Sequence, residues 1–340
     1  MPNIFKRWWR GLIYEPLDPR FLAGKNIKIA VLGGGSGLAV LLSGLKKYSN
    51  DISAIVSVMD DGKSSGRIRK KFDILPPGDI RKCIVALSKY EGDAKDFFNY
   101  RFPEGTGAFA GHTLGNIWLA GLAGHIGSFE KAVQATTEIF VSAGKILPAT
   151  LEKLELIARY DDGKVVRGES RIPRPKKRIK SIKLSNEGAK AYRKSVEALK
   201  SANLIVIGPG SLYTSIIPNL LIADINRAIA GNTSAVRIFI INSSTERGET
   251  ENYSAEDHIF AIKDHSKNRL FDYCLVNDKI VKKSKDESLL GGVHNITTDR
   301  EEILGCKIYK EDIIDPKKPL YHQPDKLAKA IIKIYNSVKK

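Results

Sequence analysis

The sequence predicts an α/β fold: a mostly parallel sheet with helices on both faces and a small β-rich insertion. Two observations carry this. From residue 26 onward, short apolar runs alternate with stretches of helical length, the pattern of parallel strands joined by crossover helices. In addition, two glycine-rich turns, far apart in the chain, each follow an apolar strand and open a helix. They are Gly33-Gly34-Gly35-Ser36-Gly37, after residues 27–32, and Gly208-Pro209-Gly210-Ser211, after residues 204–207.

Taken in order, strand 27–32 leads to a helix over 37–48, and Ile52, Ile55, Val56 and Val58 mark a strand over 51–58. Pro76-Pro77-Gly78 precedes a helix over 79–90, with Asp79 near its start. A run rich in Ala, Leu and Gly predicts one long helical stretch over 112–141. Residues 146–184 read as short strands with turn signals at Asp161-Asp162-Gly163, Pro173 and Pro175; the basic run Lys176-Lys177-Arg178 reads as a solvated face. A helix over 186–201 returns to strand 204–207. Helix 219–231, strand 236–241, helix 255–265 and strand 272–276 follow, and a Lys-rich amphipathic helix over 325–338 ends the chain. With no internal repeat or low-complexity linker, residues 26–340 read as one domain carrying an insertion over 146–184. Residues 1–25 read as a basic, aromatic arm.

The 340 residues suffice for a large core, and the apolar and charged fractions are those of a globular protein. Cys83, Cys274 and Cys306 are widely spaced, which gives no zinc, iron–sulfur or disulfide pattern and points to a reducing cytoplasm. No apolar run is long enough for a membrane span, and residues 5–14 lack the h-region of a signal peptide. The favoured reading packs Trp8 and Trp9 on the body or on a second copy of the chain; the alternative is weak contact with a membrane surface. The formal net charge of +17 favours anionic partners. It is dispersed, and neither a helix-turn-helix nor an aromatic stacking row accompanies it, so nucleic acid is not the expected partner.

Glycine turns that open helices bring main-chain N–H groups and a positive dipole end up to an anion, so two of them suit a diphosphate. The first turn has Leu38 where the dinucleotide fingerprint needs its third glycine, and no Gly-Lys-Ser/Thr follows as in a P-loop. Asp60-Asp61-Gly62-Lys63-Ser64-Ser65-Gly66-Arg67 lies at the carboxyl end of the second strand, where open α/β sheets bind ligands. Asp60 and Asp61 are candidates for Mg²⁺ or a ribose hydroxyl, and Ser64, Ser65 and Arg67 for phosphate oxygens. Asp79 and Arg81 sit at a rigid helix start, although an aspartate there is most often a cap. His112 and Asn116 would share a helical face beside the ligand. Gly208, Gly210, Ser211, Thr214 and Ser215 form the second cradle, and residues 242–250 add a polar loop at another strand's carboxyl end. No Ser-His-Asp or Cys-His arrangement is legible.

Together these segments resemble the gluconeogenesis-factor (YvcK-like) family within the CofD-like superfamily. The matching stretches are GGGSGL (33–38), DDGKSSGRIR (60–69), PPGDIR (76–81), GHTLGN (111–116), GPGSLYTSIIPNLL (208–221) and TERGET (245–250). The resemblance implies a Rossmann-like fold that binds a UDP-sugar and acts in cell-wall synthesis and cell shape, through an unidentified protein partner. Its CofD relatives instead transfer a 2-phospholactyl group from a guanosine diphosphate donor to a deazaflavin, with Mg²⁺. By position it assigns phosphate binding to Gly34, Gly35, Ser36, Gly37, Ser64, Ser65, Gly210 and Ser211, metal or ribose binding to Asp60 and Asp61, and a lining role to Asn116. Four departures stand out against that pattern. Lys63 replaces a common glycine, Ser36 a usual threonine, and Glu246-Arg247 a usual Gln-Pro; Tyr321 precedes His322 where an arginine is usual. The base therefore stays open. Three readings follow: a UDP-sugar-binding regulator without turnover, a Mg²⁺-dependent transferase using Arg67 and Arg81, and an RNA- or membrane-associated factor.

Overall fold

A computed structural model describes residues 27–279 and 293–339. The arm over 1–25, with Trp8 and Trp9, lies outside the described residues.

Strand β1 (Ile29–Gly33) runs into helix α1 (Gly35–Leu45), and β2 (Ile52–Val56) into α2 (Lys63–Phe72). Helices α3 (Gly78–Leu87), α4 (Glu91–Asn99), α5 (Leu114–Ile126) and α6 (Phe129–Ile139) lead to β3 (Gly144–Pro148). An antiparallel sheet of β4 (Leu156–Tyr160), β5 (Val165–Arg167) and β6 (Ile179–Leu184) comes next, in the order β5-β4-β6. After α7 (Arg193–Ser201) the chain re-enters the main sheet at β7 (Leu204–Ile207). A π-helical turn (Leu212–Ile216), α8 (Ile217–Leu220) and α9 (Ala223–Gly231) then lead to β8 (Val236–Ile240). The last elements are α10 (Ala255–His265), β9 (Tyr273–Asn277), β10 (Glu302–Ile303), β11 (Cys306–Glu311), β12 (Ile314–Asp315), β13 (Lys318–His322) and α11 (Pro324–Val338).

The main sheet has the order β10-β11-β9-β8-β7-β1-β2-β3 and is parallel except for the β10–β11 edge. Every residue of β1, β2, β7 and β8 is buried, which is why these strands read as mainly apolar runs, broken only by Ser53 in β2 and by Arg237 in β8, whose guanidinium pairs with Asp272. Helix α11 lies against α1 at close range. A Cβ added at Gly44 would stand 2.2 Å from the Pro324 carbonyl oxygen, so only glycine admits this approach.

Several expectations change. The stretch over 112–141 is two helices, because Gly127 adopts φ 73° at the end of α5 and the Ser128 side chain caps α6 through Lys131 N. Strand β3 belongs to the main sheet, so the antiparallel sheet spans only 156–184. Helix α7 starts at Arg193 instead of 186, after an Asn186 side chain that accepts from Gly188 N in a turn. The segment after Gly62, α4 and β10–β13 form elements that were not foreseen. Among the described residues no helix is long and apolar enough to cross a membrane.

Candidate functional site

From β1 the chain moves to β2 and β3 on one side, then returns to β7 on β1's other side and continues outward to β8 and β9. Connections thus leave the adjacent strands β1 and β7 in opposite directions. This is the switch point at which open α/β sheets open a crevice beyond their carboxyl ends. Both glycine turns stand there. Their backbones touch: a Cβ at Gly37 would lie 2.9 Å from Pro209 O, and one at Gly210 would lie 3.2 Å from Gly34 O. Between them opens a cleft of about 420 Å³, within the usual range for ligand sites, lined by residues 34–37, 209–211, 242–247 and 320–322.

The main chain of each turn is held by a side chain from elsewhere. Asn219 Nδ2 donates to Gly33 O (3.1 Å) and Ser215 O (2.8 Å). Asn242 grips both sides of Gly210, accepting from its N–H at 3.3 Å and donating to its carbonyl at 2.9 Å. Asp79 does cap a helix, but the helix is α1: Gly35 N–H donates to its Oδ2 at 2.6 Å, while Lys82 Nζ lies 2.9 Å from Oδ1. The N–H groups of Ser36 and Gly37, in the first turn of α1, have no protein acceptor among the described residues. Ser215 lies beneath the turn, its Oγ 3.3 Å from a Cβ placed at Gly34, and Gly208 faces Ile240 O below the cleft.

The polar loop after β8 is built on buried carboxyls. Glu249 accepts from Tyr213 N (3.1 Å) and Thr214 Oγ1 (2.8 Å), which supports the second cradle from below. Burial, reinforced by Glu246, pushes Glu249 up to about 8. Burial also raises Glu246, against a hydrogen bond with Ser211. The folded pKa of Glu249 thus exceeds its ordinary value of 4.5, so the folded state holds a proton that the unfolded chain has released. Its stabilising effect is complete below 4.5 and is lost as pH rises toward 8. Glu249→Gln should therefore flatten the decline of unfolding free energy between pH 5 and 8, measured by urea denaturation at several pH values. An unchanged slope would refute this assignment.

A second cluster lies beside the first turn. Burial and the neighbouring Asp79 raise the Asp60 carboxyl, whose Oδ1 accepts from Gly62 N at 2.9 Å and which also bonds Ser65. Asp61 is engaged elsewhere: its Oδ1 accepts from Ser170 N at 2.8 Å and pins the turn that carries Glu169. Burial, then Asp60 and Asp79, push Glu169 up to about 8. Sequence reasoning missed Glu169, since nothing local links the insertion to a loop 109 residues earlier. Among the described residues no group of three or more His, Cys, Asp or Glu side chains could hold a metal.

Ser64, Arg81 and Asn116 lie in a buried network and do not line the cleft. Ser64 Oγ is 3.0 Å from both His112 Nδ1 and Asn116 Nδ2, and Arg81 Nε donates to Asn116 Oδ1 at 3.1 Å. His112 precedes α5, so the expected shared helical face is absent and Ser64 brings the two residues together instead. Burial, then Arg67, Lys71 and Arg101, lower the His112 pKa. Arg67 does not line the cleft and donates to Ala110 O at 2.7 Å. Three of the four departures from the family pattern, Ser36, Glu246-Arg247 and Tyr321, lie on the cleft wall.

The family model for 2-phospho-L-lactate transferase CofD matches residues 29–314. A gluconeogenesis factor of Bacillus subtilis is 40% identical over 317 residues, covering 91% of this chain and 98% of that one. Its counterpart in Halalkalibacterium halodurans is 39% identical over 317 residues, covering 91% and 96%. A crystal structure of a Bacillus halodurans protein superposes with a TM-score of 0.86 at 39% identity, over 91% of this chain and 100% of that one. The chain with the paired glycine turns belongs to the gluconeogenesis-factor (YvcK-like, CofD-related) family.

Proposed function

We propose that this protein binds a UDP-sugar in the cleft between its two glycine turns and acts as a ligand-dependent regulator of cell-wall synthesis and cell shape. The contact between the two turns at the switch point carries this reading. In it, the free first-turn amides of Ser36 and Gly37 donate to phosphate oxygens, and the positive end of α1 adds its dipole there. Asp79 opposes a second anion at Gly35, and its ion pair with Lys82 offsets part of that repulsion. The test is thermal unfolding of the full chain with UDP-GlcNAc. Saturation at a hundredfold excess over Kd adds about 2.7 kcal/mol, and an unchanged melting curve at millimolar ligand excludes it.

The raised Asp60 carboxyl beside the first turn favours a second reading, a CofD-type transferase. Mg²⁺ there would neutralise charge on a nucleotide-linked donor while the cleft orients it. Incubation with GDP- or UDP-linked phospholactate, a deazaflavin and Mg²⁺ checks it, and absence of transfer product rejects it.

A further inference from the structure

Helix α2 turns Ser64, Ser65, Gly66 and Ile68 inward and leaves Lys63, Arg67, Lys70 and Lys71 exposed, one stripe at i, i+4, i+7 and i+8. Lys63 is the one departure from the family pattern that is not on the cleft wall. Beside the stripe, the chain between α4 and α5 folds back on itself as a hairpin-like loop. Phe102 N donates to His112 O at 3.0 Å, Gly111 N to Phe102 O at 2.9 Å and Leu114 N to Tyr100 O at 2.8 Å. Arg67 ties α2 to this loop through Ala110 O, and Arg101 holds Gly111 O from within it. Arg67, Lys71 and Arg101 all stand near enough to His112 to lower its pKa, so these cations share one side of the molecule.

The loop also brings aromatic rings to the surface. Tyr100 packs edge-on against Phe102, with centroids 5.3 Å apart, and Phe102 lies 5.4 Å from Phe109. Tyr100 and Phe109 nonetheless remain 52% and 49% exposed. Over residues 63–72 and 100–113, six Lys or Arg stand against one carboxylate, Glu104. Elsewhere basic side chains answer to carboxylates, as Lys177 does to Asp162 and Lys183 to Glu187, and Asp73 at the end of α2 is taken by Lys153. Among the described residues no carboxylate pairs with Lys63, Arg67, Lys70, Lys71 or Arg101.

We propose that α2 and the 100–113 loop form a docking surface for an anionic lipid bilayer, with the lysines at headgroup phosphates and Tyr100 and Phe109 at interfacial depth. Aromatic rings settle at the headgroup level, and each cation near an anionic surface gains from its negative potential. A single nucleic-acid strand stacks its bases on separate ring faces, whereas these rings lie against one another. The inference is independent of the nucleotide reading, because none of these residues lines the cleft.

Sedimentation of the full chain with vesicles tests this. Vesicles of equal parts phosphatidylglycerol and phosphatidylcholine should bind it, pure phosphatidylcholine should not, and binding should fall as salt rises. The combined change Lys63→Gln, Lys70→Gln and Lys71→Gln should weaken partitioning about a hundredfold. Tyr100→Ser with Phe109→Ser should weaken it about tenfold. Lys6→Gln with Arg7→Gln and Arg10→Gln, which alters only the basic arm, should leave most of the binding. Wild-type partitioning in either surface variant, equal binding to both kinds of vesicle, or no binding by the unaltered chain overturns the proposal. Full loss in the arm variant assigns the contact to the arm and also overturns it. So does tighter binding of an oligouridylate that the surface variants weaken, since that makes the surface a nucleic-acid site. The substituted side chains are all exposed, and unchanged melting temperatures would show that both surface variants stay folded.

Discussion

Gly35→Asp will abolish the thermal shift produced by UDP-GlcNAc while leaving the chain folded. Gly35 has φ +64°, so any side chain there carries left-handed strain of roughly 1–2 kcal/mol, and aspartate tolerates that region better than most residues. Space is available: the nearest heavy atom to an added Cβ is Ser215 Oγ, at 3.8 Å. The new carboxylate would lie among the first-turn amides and next to Asp79, where a ligand phosphate would have to sit. Repulsion and occlusion then act together. A wild-type gain of about 2.7 kcal/mol, roughly 4 °C in a chain of this size, should fall to none. A variant that keeps the full shift would move the phosphate site away from the first turn.

Gly44→Ala will be the most destabilising single-methyl change in α1. Its Cβ would stand 2.2 Å from the Pro324 carbonyl oxygen, 2.8 Å from that carbonyl carbon and 2.9 Å from Ala328 Cβ. Two of the three atoms are backbone, so no rotamer change relieves the overlap. Either α11 lifts from α1 or α1 shifts at its seat. Overpacking costs about 1–3 kcal/mol, and a clash with backbone belongs at the upper end of that range. Urea denaturation should show a loss near 3 kcal/mol, with faster proteolysis near residue 324. A loss below about 0.5 kcal/mol would mean that α11 does not bear on α1 as described.

The two glycine turns were legible because their information is local. An apolar strand, a glycine run and a helix follow one another within a dozen residues, and the backbone demands a residue without a Cβ at each close approach. The parallel sheet followed from the same kind of signal, since strands covered on both faces are predominantly apolar. The break at Gly127-Ser128 was less legible, because an Ala- and Leu-rich composition favours helix across it and only the left-handed glycine divides it.

By itself, the sequence determined the α/β alternation, the pair of glycine turns that open helices and the family to which they belong, all of which depend on neighbours in the chain. Tertiary structure alone decided which candidates share the cleft. Asn242 and His322 join the turns, Arg67 and the Ser64–Asn116–Arg81 network fall outside, and Asp61 turns aside to hold Glu169 in place. Strand order brings together residues separated by a hundred positions or more, and burial then sets which of them retain a proton. Neither strand order nor burial is written in the spacing of residues along the chain.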